Sequence, residues 1–391
     1  MTLPIKDKTA IAGIGWSEFS RNSGTTVQNL AAQASLMAIA DAGLSPKDID
    51  GVVTYYWRPD TPSPRDMAEA MHIPTINFEL NNQGGGGWAS AAVMSAALAV
   101  YAGLCKNVLV FRAMNGRSQR RPTAAAASRE AQGPLQFTAP YGVMHAAASF
   151  GHYATAHMAR FGTSTLDFAH LAVTQRKHAS LNKKAMMREP ITVEDHQSSR
   201  WVVYPFRLLD CCLDSDCAVA LVVTSAERAR DMRQAPVYIM SMMGGCEPFP
   251  NNYTTYGAIA APQLYQGAGI TPKDVDLAEL YDPFTFMCMA HMEDFGLVPK
   301  GEVGGWVSAG KNSLDGEVPV NTHGGLLSEC YAQGLNHVIE AVQQLRPGGV
   351  VDDLCEGPHT YDRTKCRQVR DPEIALTCGE GGQSSLILRR A

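Results

Sequence analysis

Residues 42–50 of the chain are AGLSPKDID, and residues 268–276 are AGITPKDVD. In both places the phrase ends a run of apolar residues with helical spacing. Each copy is followed, after a similar interval, by a glycine-rich turn, a long apolar run and a short β-rich run. Three matching landmarks in the same order predict that the chain contains two copies of one α/β unit. A solenoid is excluded, because it would need more copies of a shorter repeat.

The glycine-rich turns are led by asparagine, with NNQGGGGW at residues 81–88 and NTHGG at residues 321–325. Both open apolar runs that predict buried helices, and β-rich runs follow where a strand-helix-strand unit needs its next strand. The predicted helix and strand span 89–104 and 107–112 in the first half, and 326–345 and 374–378 in the second.

The duplication predicts an N-terminal half over residues 1–235 and a C-terminal half over residues 236–391. In each half we expect helices packed against a mostly parallel sheet. Residues 113–205 do not fit the repeat, and we expect an insertion in the first half that is helical around Ala147–Arg160. Long insertions in α/β proteins usually lie over the carboxyl edge of the sheet and shape the ligand site.

The composition excludes several classes of partner. The 391 residues are 45% hydrophobic and 18% charged, with a formal net charge of -5 and no block of Lys or Arg. We therefore expect no nucleic acid and no membrane as partner. The most apolar stretch is shorter than the ~20 residues that cross a bilayer. The first 15 residues lack the apolar segment of a signal peptide, so we expect a cytoplasmic protein.

Motifs for metals and nucleotides are also missing from the sequence. The ten cysteines form no C-x-x-C pair and no Cys/His cluster, so we expect no metal site and no disulfide framework. The glycine-rich turns do not follow the G-x-G-x-x-G or Walker pattern in its required context, which argues against a nucleotide cofactor.

Three glycine-rich turns, at residues 84–87, 323–325 and 378–382, follow strands at equivalent places in the chain. Such turns present backbone N–H groups where an anion or a developing oxyanion is stabilised. The alternative is that the glycines only allow a helix to pack closely on a strand. Three turns at equivalent positions favour the binding role.

These residues resemble the thiolase superfamily, in particular the sterol-carrier-protein type of thiolase-like proteins, over nearly the whole chain. The resemblance implies a five-layered αβαβα fold, a homodimer and an acyl-CoA substrate, with no cofactor other than the coenzyme A of that substrate. It rests on AGIGWSEFSR at 12–21, AIADAGL at 38–44, LLDCCLDSDCAVALVVTS at 208–225, ELYDPFTF at 279–286, NTHGGLLSECYAQG at 321–334 and LTCGEGGQSS at 376–385.

The chain departs from a working thiolase at the residues that carry its chemistry. The family phrase V-N-N-x-C-S-x-G aligns with residues 80–87, which places Gly84 at the nucleophilic cysteine. A glycine cannot take an acyl group, so an acyl-enzyme at this position is excluded. Two polar positions of the family site align with Tyr281 and Tyr331. Cys378 matches the second family cysteine, which transfers a proton.

This combination is similar to the thiolase-like aldolases of bacterial steroid side-chain degradation. A retro-aldol cleavage needs a base for the β-hydroxyl, a site for the thioester enolate and an acid for the α-carbon, but no nucleophile. We therefore expect a lyase that splits a β-hydroxyacyl-CoA into a ketosteroid and a short acyl-CoA such as propionyl-CoA. Tyr331 is the expected base and Tyr281 the proton donor or its partner. For either tyrosine alone, a core role with a satisfied hydroxyl is the alternative.

The remaining site residues follow from the same resemblance. We expect the backbone N–H groups of Gly84 and of Glu380 or its neighbours to bind the enolate. His323 has three open roles, which are binding the thioester oxygen, relaying a proton and fixing the turn. The other residues expected to line the substrate site are Gly85, Gly324, Gly325 and Gly379.

Two nearby features have structural alternatives. Asp282 is expected to cap the helix that begins near Pro283. The arginines at 112, 117, 120 and 121 could meet the phosphates of coenzyme A, although surface arginines are common.

Two other activities remain open on the sequence alone. One is an altered thiolase in which Cys378, or another cysteine carried into the site, performs acyl transfer, and the other is a non-catalytic scaffold that binds acyl-CoA. The resemblance also implies a homodimer, which we expect to form through the strand near Val108 and Leu109. It further implies a second chain, a small zinc-ribbon and OB-fold subunit.

Overall fold

A computed structural model describes residues 5–58, 60–119, 133, 135–247, 253–347 and 362–391. In these ranges no helix is long and apolar enough to span a bilayer. The first half begins with β1 (Thr9–Trp16), α1 (Val27–Asp41), β2 (Gly51–Tyr56), α2 (Pro64–Met71), β3 (Phe78–Gln83), α3 (Ala89–Tyr101) and β4 (Asn107–Asn115).

The predicted insertion follows β4 and ends before the chain returns to the sheet. It contains α4 (Leu135–Thr138), α5 (Ala146–Phe161), α6 (Thr165–Ser180), α7 (Val193–Ser198), β5 (Trp201–Val203) and β6 (Phe206–Arg207). The helix predicted around 147–160 is α5. The strand before the insertion continues to Asn115, so the insertion starts later than residue 113. The first half is completed by β7 (Asp216–Ser225) and α8 (Ala226–Ala229).

The sequence predicts a division between residues 235 and 236, and the next element, β8 (Val237–Gly244), begins just after it. The other elements of the second half are α9 (Gly257–Ala268), β9 (Leu277–Leu280), α10 (Thr285–Asp294), α11 (Val303–Ser308), α12 (Gly325–Ser328), α13 (Leu335–Leu345), β10 (Ile374–Cys378) and β11 (Ser384–Arg389). The helix predicted over 326–345 is wrong as one element. It is interrupted between Ser328 and Leu335, where Gln333 and Gly334 have positive φ angles of 50° and 91°.

One nine-stranded sheet joins the two halves, in the order β3-β2-β4-β7-β1-β8-β11-β10-β9. Counted outward from the central pair β1 and β8, the halves repeat one succession. The strands β1, β7, β4 and β2 correspond to β8, β11, β10 and β9. Next to β9, the place of β3 is taken by a single parallel bridge between Ala278 and Val320. This order is consistent with the predicted duplication.

The expectation of a mostly parallel sheet is wrong. The antiparallel pairs are β4–β7, β7–β1, β1–β8, β8–β11 and β11–β10, while β3–β2, β2–β4 and β10–β9 are parallel. The sequence pattern could not show this, because a strand buried on both faces is continuously apolar in either orientation. β7 returns after the long insertion and enters the sheet antiparallel to both of its neighbours.

Alternate residues of the strands face different helices and so define the layers. Val108 and Val110 of β4 pack in one cluster with α3 and α13, and Leu109 and Phe111 pack in another with α1 and α2. The helices α3 and α13 contact each other and strands of both halves, so they form the middle layer. The helix α9 packs on the other face of the second half. The two halves of the sheet therefore pack on the same middle layer of helices, and each half carries further helices on its other face. These five layers are the predicted αβαβα arrangement.

The duplicated phrase has the same structure in both copies. Gly43 and Gly269 follow the ends of α1 and α9 with positive φ angles of 78° and 73°, a conformation that glycine adopts without steric cost. The last aspartate of each phrase then links two strands. Asp50 accepts hydrogen bonds from the N–H groups of Lys106 and Asn107 at the start of β4. Asp276 accepts them from Glu373 and Ile374 at the start of β10.

The sequence predicts a dimer that forms through the strand near Val108 and Leu109, and this expectation is wrong because the strand is not at an edge of the sheet. Both residues belong to β4, which is hydrogen-bonded to β2 on one side and to β7 on the other. Among the described strands, β3 lies at this end of the sheet, with its residues alternating between half-buried and exposed. An apolar β-rich sequence shows that a strand is buried but not which neighbours it has.

Most of the described cysteines are buried and reduced, as expected for small core side chains. Cys366 is an exception, because it takes part in a disulfide that the sequence analysis did not predict.

Candidate active site

The glycine-rich turns after β3 and after β10 are in direct contact. Residues Gly85–Trp88 form a 3-10 turn that leads into α3, and Glu380–Gly382 form another that leads into β11. A Cβ atom on Gly379 would lie 2.7 Å from the carbonyl oxygen of Gly86. Only glycine therefore allows the two backbones to approach this closely.

The nucleophile position of the thiolase pattern is filled by an indole ring. A Cβ atom on Gly84 would lie 1.9 Å from Cδ1 and 2.3 Å from Nε1 of Trp88. A cysteine at this position would therefore require Trp88 to move. The loss of the nucleophile is thus accompanied by a side chain that occupies its space.

Tyr281 and Tyr331 are brought together beside the same turn. Tyr281 follows β9 and is fully buried, whereas Tyr331 lies between α12 and α13 and is half-buried. Their hydroxyl oxygens are 3.0 Å apart, which is a hydrogen bond. A Cβ atom on Gly86 would lie 2.1 Å from the Tyr281 hydroxyl oxygen. Gly86 therefore leaves the space that this hydroxyl occupies.

The loop that carries Tyr331 is held on both sides by hydrogen bonds. The Tyr331 N–H donates to Oγ of Ser215 at 2.9 Å. Two residues later, the Gln333 carbonyl oxygen accepts from the Tyr55 hydroxyl at 3.0 Å. Because these contacts come from β2 and from the residue before β7, the first half fixes the position of a second-half tyrosine.

Arg112 serves the same loop and is not available for coenzyme A phosphates. Its guanidinium is fully buried, donates to the side-chain oxygen of Gln333 at 2.7 Å and pairs with Asp60 at 2.8 Å. The suggested phosphate role is wrong for this residue, because a buried and paired arginine cannot reach a phosphate without losing both partners. Arg120 and Arg121 lie outside the described residues.

The tyrosine pair is neutral at neutral pH. Burial raises the pKa of both Tyr281 and Tyr331 well above the usual value, and the nearby Glu380 carboxylate raises both further. Burial also raises the pKa of Glu380 itself, to about 7. The sequence pattern predicts a role only for the backbone of Glu380, whereas its half-buried side chain also belongs to the site.

Cys378 is buried at the end of β10, and burial raises the pKa of its thiol to about 12. The thiolate is the reactive form of cysteine, so a thiol with this pKa is a poor nucleophile and a poor base at neutral pH.

Some of the predicted substrate-binding N–H groups already have acceptors in the protein. The donors are Gly84 to the Tyr56 carbonyl at 2.9 Å, Gly324 to Asn321 at 2.9 Å and Gly379 to Ser384 at 2.8 Å. The Gly84 N–H is therefore not available to bind an enolate as the sequence predicted. Gly85, Gly325 and Glu380 are the predicted positions that remain.

His323 is fully buried beneath its turn. Its Nδ1 atom is 2.9 Å from a carboxylate oxygen of Glu279, and its Nε2 atom is 3.6 Å from one of Glu329. The other oxygen of Glu279 accepts from the N–H of Thr322 at 3.0 Å. A ring enclosed by two carboxylates has no surface for a substrate, so the geometry favours the turn-fixing role over the other two.

Asp282 does not cap the following helix, and that expectation is wrong. The helix α10 begins at Thr285 and its N-cap residue is Phe284. The Asp282 carboxylate instead accepts the N–H of Leu326 at 3.0 Å and lies 3.1 Å from Nε2 of His337. Asp282 therefore links the Tyr281 segment to the glycine-rich turn at residues 323–325.

One buried group could hold a metal ion, although the sequence predicted no metal site. Glu279, His323 and His337 each offer one ligand atom, and these atoms lie within 4.8 Å of one another. Burial lowers the pKa of His337, but the nearby Asp282 and Glu279 carboxylates outweigh burial and raise it to about 9. The carboxylates thus already have a cationic partner. No local sequence pattern indicates this cluster, because its members lie far apart along the chain.

The fold and the site together define a thiolase-like protein without a thiolase nucleophile. The family described as "Thiolase C-terminal domain-like" matches residues 249–388. The chain is 41% identical over 358 residues to "17-hydroxy-3-oxo-4-pregnene-20-carboxyl-CoA lyase" of Mycobacterium tuberculosis, covering 88% of this chain and 92% of that protein. It is 39% identical over 367 residues to a "Steroid side-chain-cleaving aldolase" of Thermomonospora curvata, covering 88% and 93%.

Solved structures agree with these relationships. The structure described as "Ltp2-ChsH2(DUF35) aldolase" superposes with a TM-score of 0.87 at 36% identity, covering 99% of this chain and 98% of that chain. Human mitochondrial 3-ketoacyl-CoA thiolase in complex with CoA shares the fold, with a TM-score of 0.67 at 14% identity over 98% of both chains. The chain belongs to the thiolase superfamily, and within it to the group of the steroid side-chain-cleaving aldolases.

Gly86→Ala should disrupt the tyrosine pair. Because the new methyl group would overlap the Tyr281 hydroxyl, we expect a loss of about 1–3 kcal/mol in unfolding free energy and a broken Tyr281–Tyr331 hydrogen bond. Denaturant unfolding and a crystal structure measure these effects. Gly305→Ala is the control, since nothing lies within 4 Å of its Cβ position in α11. Unchanged stability and an intact pair in Gly86→Ala would contradict this account.

Glu380→Gln should change how stability depends on pH. The folded-state pKa of about 7 lies above the ordinary value of 4.5, so the protonated form is favoured by folding. This contribution is present below pH 4.5 and is lost as the pH rises through 7. The melting temperature of the wild type should therefore fall more between pH 5 and pH 8 than that of Glu380→Gln. Equal falls in melting temperature would show that the pKa of Glu380 is not raised by folding. The control is Glu227→Gln, because Glu227 is exposed.

Proposed function

We propose that the protein is a carbon–carbon lyase that cleaves a β-hydroxyacyl-CoA with a steroid side chain by retro-aldol chemistry. The products are a ketosteroid and a short acyl-CoA such as propionyl-CoA. The observation that carries the proposal is the Tyr281–Tyr331 hydrogen bond of 3.0 Å beside a nucleophile position filled by Trp88. The names of the two relatives support the substrate class.

The neutral tyrosines suit a relay of protons in which no free phenolate accumulates. The β-hydroxyl of the substrate gives its proton to Tyr331, whose own proton passes to Tyr281. The Cα–Cβ bond breaks, its electron pair forms the enolate, and the hydroxyl oxygen becomes the ketone. Tyr281 gives its original proton to the α-carbon as it receives that of Tyr331, so neither tyrosine carries two protons at any stage, both end neutral and all protons are accounted for.

The enolate needs donors that are fixed before the reaction. The N–H groups of Gly85, Gly325 and Glu380 belong to the turns that surround the tyrosine pair, and we assign the thioester oxygen to donors among them. The Glu380 side chain must be uncharged when the enolate forms, because a carboxylate beside it would destabilise the developing negative charge. Its raised pKa supports the neutral form.

Product analysis tests the proposed reaction. The protein is incubated with a β-hydroxyacyl-CoA, with and without free coenzyme A. Release of a ketone and a shorter acyl-CoA without free coenzyme A is the expected result. Acyl transfer through Cys378 would instead require free coenzyme A and leave an acylated cysteine in the intact mass. A scaffold without activity would bind the substrate and release nothing.

Tyr331→Phe should lower turnover by about 100- to 10,000-fold with little change in melting temperature or substrate binding, because it removes only the proton-transferring hydroxyl. Tyr281→Phe should also lower turnover. The matched control is Tyr265→Phe, whose buried hydroxyl donates to the Phe295 carbonyl at 2.8 Å. It should cost about 1 kcal/mol of stability and leave turnover intact. Near-normal turnover of folded Tyr331→Phe would remove this residue from the mechanism.

We also propose a homodimer that forms through β3, because this edge strand could continue the sheet into a second copy. The interface should bury more than ~2,000 Å². Sedimentation velocity at micromolar concentration should give the mass of a dimer, and the amides of β3 should be protected from hydrogen exchange in it. A stable monomer, or a dimer with freely exchanging β3 amides, would contradict this interface.

The remaining proposals concern partners and place of action. A small zinc-ribbon and OB-fold subunit is proposed as a second chain, supported by a solved relative whose description names two components. Co-expression with the product of a neighbouring gene of that type, followed by co-purification, tests it.

We propose that the enzyme acts in the cytoplasm and needs no cofactor beyond the coenzyme A of its substrate. Activity that is retained after dialysis against a chelator would support the proposal that no metal cofactor is needed. The halves 1–235 and 236–391 remain our proposed division of the chain.

A further inference from the structure

A fully buried histidine of the middle helix layer faces two carboxylates that bracket Tyr281. His337 belongs to α13, and its Nε2 atom is 3.1 Å from Oδ1 of Asp282. Its Nδ1 atom is 3.8 Å from Oε2 of Glu279. Asp282 directly follows Tyr281, and Glu279 precedes it by two residues. The imidazole therefore contacts the chain on both sides of the proposed proton donor.

The same two carboxylates also hold the glycine-rich turn at residues 323–325. Asp282 accepts the N–H of Leu326, and Glu279 accepts the N–H of Thr322. Gly324 and Gly325 lie between these two anchored residues. One histidine thus connects the Tyr281 segment and the turn to a helix that contacts both halves of the fold.

The charges explain why a histidine is needed here. A carboxylate that is buried without a cationic partner strongly destabilises the folded state. The charged or polar groups that face His337 are Glu279, Asp282, the His323 ring at 4.9 Å and His291, while the Tyr281 ring lies at 6.4 Å. Without His337, Asp282 would have no cationic partner among these groups, since His323 is already paired with Glu279.

We infer that His337 is a positioning residue for the proposed lyase reaction, which holds Glu279 and Asp282 and thereby sets where the Tyr281 hydroxyl stands relative to Tyr331. The inference rests on the proposed function. It competes with a metal ion bound by Glu279, His323 and His337. It is distinct from a purely structural role, because positioning predicts an effect on turnover in correctly folded protein.

The test is His337→Gln, which removes the ring charge and keeps a hydrogen-bonding side chain. We expect kcat to fall by about 100-fold, as for a displacement on the order of 1 Å at a reacting group, with KM unchanged within about twofold. A crystal structure should show the Tyr281 and Tyr331 hydroxyls no longer within hydrogen-bond distance. The double variant Asp282→Asn with His337→Gln restores a neutral pair, and it should lose less stability than the two single variants combined.

The control is His157→Gln, because His157 is also fully buried and paired with a carboxylate, Glu293, at 2.9 Å. Its other ring nitrogen forms a hydrogen bond with Thr163, and Glu293 accepts the N–H groups of Gly301 and Val303. We expect this variant to lose stability and keep kcat. If His337→Gln behaves in the same way, the histidine only stabilises the fold and the inference is overturned.

Other results are equally decisive. One metal ion per chain in the purified wild type, removed by chelators with a fall in melting temperature, would replace the inference by a metal site. If His337→Gln and Asp282→Asn both fail to fold while His157→Gln folds, the pair is a folding requirement and the positioning role is overturned. A wild type without lyase activity overturns the proposed function alone, because the hydroxyl separation in the His337→Gln crystal structure still tests positioning.

Discussion

The site depends on three places where the backbone has no Cβ atom. At Gly84 the missing atom leaves room for the Trp88 indole, at Gly86 for the Tyr281 hydroxyl, and at Gly379 for the carbonyl oxygen of Gly86. At each of these glycines a Cβ atom would lie less than 3 Å from a neighbouring atom. The indole, the phenol and the carbonyl oxygen therefore exclude any side chain at these three positions. Replacing a nucleophilic cysteine by glycine is therefore a change in packing as well as the loss of a sulfur atom.

Much of the fold could be predicted because its signals are local. The apolar periods of α3 and α5 and the β-rich run at Ile374–Cys378 are fixed by short-range patterns. The duplicated phrase also encodes its own contacts, since Asp50 and Asp276 each tie the start of one strand to the start of its neighbour. A side chain with the same function in both copies is retained in both, which is why the repeat remained visible in the sequence.

What could not be predicted depends on residues far apart in the chain. The position of β4 inside the sheet is set by β7, which joins only after the insertion. The use of the Gly84 N–H by Tyr56 requires the register of β2 against β3. The His337 cluster combines α13, the segment around β9 and the turn at 321–326. In the sequence His337 is one of several polar residues of α13, a pattern that also fits a satisfied core histidine. The two tyrosines were found because a family resemblance marked their positions, and their hydrogen bond was beyond any local signal.

The arrangement explains how a thiolase scaffold can hold a different reaction without a new fold. Thiolase chemistry needs a reactive sulfur atom at the start of the middle-layer helix, where here an indole excludes one. A retro-aldol reaction needs two proton-transfer groups at a fixed separation and fixed donors for an enolate. The two halves divide these requirements, since Ser215, Tyr55 and Arg112 of the first half hold the loop of Tyr331. The segment of Tyr281 is held within the second half by Asp282 and His337. The separation of the two hydroxyls therefore depends on how the halves pack across α3 and α13, so that in the proposed reaction residues distant from the substrate control the geometry of the chemical step.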